Sequence, residues 1–303
     1  VRAWWRVVFF ALASTAGGLL VSSVAYEAIS YTPLIGFARQ YGVPLAECGE
    51  LLALLVGTWA ALRTIDGLRE GLWTRVGLGA KELRARPLLI GLAAGTLGIL
   101  VPCGLLIAAG RFGFERQPAE VVSWTSGARS ALFILAPAAF VEELTIRGYL
   151  FTTLIDGAGV PFAVAITSLL FAALHLLNPD PTILSTAVVA FAGLFLATVR
   201  LVTGSLWAAW IAHLAWNLAQ AVVLHAPVSG LPLPTPGYRL VDRGPEWLTG
   251  GPWGPEGGLA AAAGMLVATF LLVSRVGVRG GPLTANGTWF RPGDPLWRRK
   301  TNE

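Results

Sequence analysis

Charge is scarce in this chain. Of its 303 residues only 13% are Asp, Glu, Lys or Arg, while 55% are hydrophobic; soluble domains carry about a quarter charged residues. That imbalance excludes an ordinary soluble domain and identifies an integral membrane protein. Cysteine is almost absent: Cys48 and Cys103 lie in different apolar segments without metal-ligand spacing. A disulfide framework and a cysteine zinc site are therefore excluded, and both residues read as small packing groups. Lysine occurs only at Lys81 and Lys300, against abundant Arg, Ala and Gly, a bias that points to a GC-rich prokaryotic genome. The net charge of +5 and pI near 9.7 suggest a nucleic-acid binder at first sight. The basic residues flank apolar runs instead of forming a stripe with interleaved aromatics, so no nucleic-acid partner is expected.

What is present in quantity is long apolar runs. Stretches of spanning length fall at about 4–26, 44–63, 87–110, 130–155, 160–177, 182–199, 205–225 and 257–275, giving an all-α, polytopic transmembrane bundle of about eight spans. Residues 1–303 read as a single membrane domain. Arg2 and Arg6 before the run from Val7 to Val24 imitate a signal peptide, but the run is longer than a typical h-region, so a retained first span is expected. No internal repeat of the transporter kind is present. The connection at 63–86 carries Arg63, Arg69, Arg75, Lys81, Arg84 and Arg86, which places it and both termini in the cytoplasm. It reads as a topology signal. The tail at 276–303 is expected to rest Trp289, Phe290 and Trp297 on the headgroups, and the Pro/Gly-rich loop at 226–256 reads as an ordered cap or a mobile loop.

Against this background three charges in one apolar run, Glu142, Glu143 and Arg147, require a functional explanation. The chain has three histidines, and His175 and His213 lie well within spans. Counted from the turn at 156–159, Glu142 and His175 are both about 20 Å deep; His213 and Asn217 lie about 12 and 18 Å along the seventh span from the same side. All can share one layer. Residues four apart face the same way, so Glu143 should pair with Arg147, leaving Glu142 for chemistry. His175 and Glu142 on one water make a general-base arrangement. His213 and Asn217 on one face provide two oxyanion donors. Phe171, one turn before His175, is placed to shield it. Trp207, Trp210 and Trp216 line a groove or simply pack, and His225, at a span end, reads as interfacial and solvated.

The ordered motifs EExxxR, FxxxH followed by NP, and HxxxN on separate spans resemble the CAAX prenyl endopeptidase type II family, also called the CAAX protease and bacteriocin-processing (CPBP, or Abi) family. The resemblance covers roughly residues 60–260. It implies an intramembrane glutamic protease: Glu142 and His175 activate water, His213 and Asn217 hold the oxyanion, and Glu143 and Arg147 are structural. Asn178, whose amide reaches the site edge, and Phe171 are weaker substrate-contact candidates. The implied partners are membrane lipid and a protein or peptide substrate, lipidated or not, and no cofactor is expected. Three other readings stay open: a zinc metalloprotease using Glu142, His175 and His213 as ligands; a proton-coupled transporter using the Glu/His layer as a relay; and an inactive membrane scaffold.

Overall fold

A computed structural model describes residues 5–12, 14, 16, 23, 49–67, 71–117, 123–233 and 237–276. Most of the first expected span, the connection at 27–43 and the tail beyond 276 lie outside the described residues. Helical residues 49–60 run into a π turn, Ala61–Ile65. The bundle then comprises α1 (Ala85–Ala108), α2 (Trp124–Arg147), α3 (Tyr149–Ala158), α4 (Val160–Leu174), α5 (Ile183–Thr203), α6 (Leu206–Leu218) and α7 (Leu259–Leu271). Among the described residues, four segments are long and apolar enough to cross a membrane: Ala85–Ala108, Val160–Leu177, Ile183–Thr203 and Leu206–Val223. A shorter apolar helix, Leu259–Arg275, follows.

The expected span at 130–155 needs correction, because it is two helices broken at Gly148, where ψ is −120°. A Cβ at Gly148 would strike the Leu144 carbonyl, so glycine permits the chain to leave α2 immediately after Arg147. Ser123 caps the start of α2 by accepting from the Ser126 N–H.

Glycine also sets the closest helix contact. Cβ atoms on Gly91 and Gly95 of α1 would meet the carbonyl oxygens of Ala208 and Ala212 in α6, and one on Gly98 would lie 3.1 Å from the Trp216 ring. Small residues let membrane helices approach where no hydrophobic driving force exists between them. The stripe on α1 therefore fixes the helix that carries His213 and Asn217.

The two ends of the bundle differ. At one end the basic connection is pinned to the α5–α6 turn, where Ser205 Oγ donates to the Glu82 carbonyl at 2.8 Å and the Leu206 N–H to the Gly77 carbonyl at 2.9 Å. Arg75 is not merely a topology signal. It pairs with Asp156 and lies 3.7 Å from Asp66, which also binds Arg6 at 2.7 Å and accepts from Tyr149. The all-α bundle that the apolar runs predict is present, and at its other end it carries a small antiparallel ribbon. There β1 (Phe112–Arg116) pairs with β2 (Tyr238–Asp242), with Phe114 opposite Leu240. This ribbon ties the connection after α1 to the Pro/Gly-rich loop, whose described residues form an ordered cap of short turns. His225 is half-buried rather than solvated. It has a positive φ of 52°, its Nδ1 has no hydrogen-bond partner among the described residues, and burial holds its imidazole below the usual histidine range.

Candidate active site

Three helices meet at mid-depth around one guanidinium. Arg147 donates to Glu143 Oε1 at 2.9 Å and to the Gly193 carbonyl at 3.2 Å, and its Cζ lies 4.2 Å from the centre of the Phe171 ring. Glu143 and Arg147 are both wholly buried. Gly193 is midway along α5, so this pair lies about 15 Å from either end of that helix. A buried ion pair at such depth is costly unless further hydrogen bonds support it. Here the Gly193 carbonyl and the Phe171 face take part of the guanidinium, while Arg147 Nε and Glu143 Oε2 have no hydrogen-bond partner among the described residues.

Glu143 has a second partner that the i, i+4 argument does not reveal. Its Oε1 lies 3.1 Å from His213 Nδ1. A carboxylate only accepts, so Nδ1 carries the hydrogen and Nε2 is turned toward Glu142, 4.0 Å from its Oε2. The same logic orients His175. Its Nδ1 lies 2.8 Å from the Phe171 carbonyl, also an obligate acceptor, so the neutral ring holds an open lone pair on Nε2. That nitrogen is 3.9 Å from Glu142 Oε2. Both imidazoles thus aim Nε2 at one oxygen of one carboxylate, across gaps too long for direct hydrogen bonds and suited to a bridging water. Glu142 Oε2 is buried without a hydrogen-bond partner among the described residues, yet its side chain as a whole is 36% exposed.

Phe171 is 2% exposed, with its ring 4.6 Å from His175 and 5.8 Å from His213. It spaces the two imidazoles and covers the guanidinium. Asn217 is buried on α6 and faces a cavity shared with Phe171, His175 and His213, closed on the cap side by Ser229 and Glu256. Its volume is about 30 Å³, room for one or two waters. The Asn217 amide makes no hydrogen bond to another described residue.

Asn178 does not extend the site in this structure. Its amide donates to the Ser229 carbonyl at 3.0 Å and fastens the cap to the end of α4. Trp207 and Trp210 also serve packing. Trp207 stacks on Phe140 at 5.3 Å, and Trp210 donates to the Ala136 carbonyl at 2.9 Å, seating α2 on α6. Trp216 is the one of the three that lines the cavity. Sequence reasoning missed Glu256, an acid in a Pro/Gly loop that ends up 8% exposed and bonded to Trp216 and Gln220. The available signal was Trp216 and Gln220 one turn apart on an apolar helix, two donors that need a partner. Among the described residues no group of three His, Cys, Asp or Glu is disposed to hold a metal ion.

A membrane-embedded helical bundle with a carboxylate–imidazole centre at mid-depth is the class that fold and site define. Residues 124–219, from the start of α2 to the end of α6, match the family model of type II CAAX prenyl endopeptidase Rce1-like proteins. That segment is similar to the family, and it holds Glu142, Glu143, Arg147, His175, His213 and Asn217. No curated protein and no solved structure matches the chain.

Proposed function

We propose that this protein is an intramembrane endopeptidase that hydrolyses a peptide bond with water activated between Glu142 and His175. The observation that carries the reading is the convergence of two Nε2 atoms, 3.9 and 4.0 Å away, on Glu142 Oε2. Glu142 accepts a hydrogen bond from the hydrogen that the water keeps, and His175 Nε2 takes the other as a proton while the oxygen attacks the carbonyl carbon. The carbonyl oxygen becomes the oxyanion. Asn217 donates to it from one side. His213 donates from the other as the imidazolium, because its Nδ1 hydrogen is already given to Glu143. Collapse breaks the C–N bond, and the proton held by His175 passes to the leaving amine.

Spacing favours water over zinc in this centre. Tetrahedral zinc with ligands at about 2.0–2.1 Å holds them roughly 3.4 Å from one another. A water with hydrogen bonds of about 2.8 Å reaches 3.9–4.0 Å at close to a right angle. In this reading the reaction uses no metal. The exposed part of Glu142 at mid-depth requires a wetted groove, since a charge facing lipid there is costly.

The substrate is a membrane-associated protein or peptide, prenylated or not. We read the protein as prokaryotic with its termini in the cytoplasm and the cap on the outer side, a reading supported by Arg6 and the basic connection sharing one end of the bundle. Comparative peptidomics of membranes carrying wild-type or Glu142→Ala protein tests the activity. Products that disappear with the substitution support it, and identical peptide sets refute it.

A further inference from the structure

Glu256 lies outside the family-matched segment, yet it closes the same cavity as Asn217 and both site histidines. Its carboxylate takes four hydrogen bonds. Oε2 accepts from Trp216 Nε1 at 2.8 Å and Gln220 Nε2 at 2.7 Å, both on the Asn217 helix; Oε1 accepts from the Ser229 N–H at 2.5 Å and Ser229 Oγ at 2.6 Å, both in the cap. The Glu256 N–H returns a bond to Gln220 Oε1 at 3.3 Å, fixing which way that amide lies. Trp216 and Gln220 bracket Asn217. Just after it α6 opens into a π turn, Ala219–Val223, a departure from the regular ladder that also occurs at Ala61–Ile65 and Leu272–Val276. The backbone next to Asn217 is thus less regular than a continuous helix, and side-chain bonds to a fixed carboxylate on either side of it compensate.

We infer that Glu256 is a positioning residue, holding the Asn217 turn against the cap so that the Asn217 amide meets the developing oxyanion. This rests on the proposed hydrolysis. All four donors are neutral, and both oxygens receive at least one N–H. In Glu256→Gln the amide nitrogen therefore faces at least one N–H whichever way it turns, with almost no change of volume.

The test is a double-mutant cycle with an internally quenched prenylated peptide ending in a CAAX sequence, measured on wild type, Glu256→Gln, Asn217→Ala and the double variant, with thermal midpoints alongside. Glu256→Gln should lower kcat about tenfold with KM within about twofold, and Asn217→Ala about a hundredfold. The double variant should match Asn217→Ala, because a displaced amide that has been removed can lose nothing more. Multiplied losses, near a thousandfold, or an unchanged kcat in Glu256→Gln overturn the inference while leaving the hydrolysis intact. Wild-type turnover in Asn217→Ala overturns the oxyanion assignment and this inference together.

Discussion

Arg147→Met should unfold the site more than any catalytic substitution, and its partner substitution should rescue the fold. Methionine fills the space but leaves the Glu143 carboxylate buried with only His213 as a donor, because Oε2 has no partner already. Stranding one member of a buried pair costs about 3–5 kcal/mol. Loss of the contact with the Phe171 face, 4.2 Å from Cζ, adds about 0.5–2 kcal/mol. The total is roughly 3.5–7 kcal/mol, which lowers the thermal midpoint by at least about 7 °C. The double variant Glu143→Gln, Arg147→Met strands no charge, and the new amide oxygen still accepts from His213 Nδ1. It should recover at least about 2 kcal/mol of that loss. Thermal unfolding of purified protein in detergent, followed by the fluorescence of its 12 tryptophans, measures both. An Arg147→Met midpoint within about 3 °C of wild type, corresponding to about 1 kcal/mol, refutes the reasoning. So does a double variant less stable than the single one. Turnover should stay low in the double variant, since the charge that supports the His213 imidazolium is gone.

Glu142→Gln and His175→Gln should each abolish cleavage while moving the midpoint little, because neither Nε2–Oε2 gap is a direct hydrogen bond; a turnover assay beside a melting curve checks both. His213→Ala and Asn217→Ala should each lower kcat about a hundredfold by removing an oxyanion donor, read on the same reporter peptide. Gly95→Leu should separate α1 from α6, because even a Cβ at that position meets the Ala212 carbonyl. The expected loss is at least about 1–3 kcal/mol, with activity falling as His213 moves, measured by melting and turnover.

The parts of the site legible in the sequence are those governed by local helix geometry. The one-turn spacing places Glu143 against Arg147, and rise per residue brings Glu142 and His175 to one layer. The use of His213 Nδ1 by Glu143 was not legible, because 70 residues separate them and the choice of nitrogen depends on how α6 rotates against α2. The break at Gly148 was hidden inside a continuous apolar run. Its cause is a single ψ angle that hydropathy does not encode. The cap was least legible, since Asn178, Ser229 and Glu256 find their partners only once the Pro/Gly-rich loop has folded over the bundle end. The tie of Glu256 to Trp216 spans 40 residues and joins a loop to a helix, a contact for which neither element carries a periodic signal.

In the proposed chemistry Glu142 and His175 activate a water without metal. The most direct measurement is cleavage of the prenylated reporter by purified, chelator-treated wild-type protein and by Glu142→Gln in the same lipid vesicles. The proposed chemistry predicts full turnover in the chelated wild type and none in the variant. Turnover that vanishes with chelation and returns with zinc, or that persists in Glu142→Gln, contradicts it.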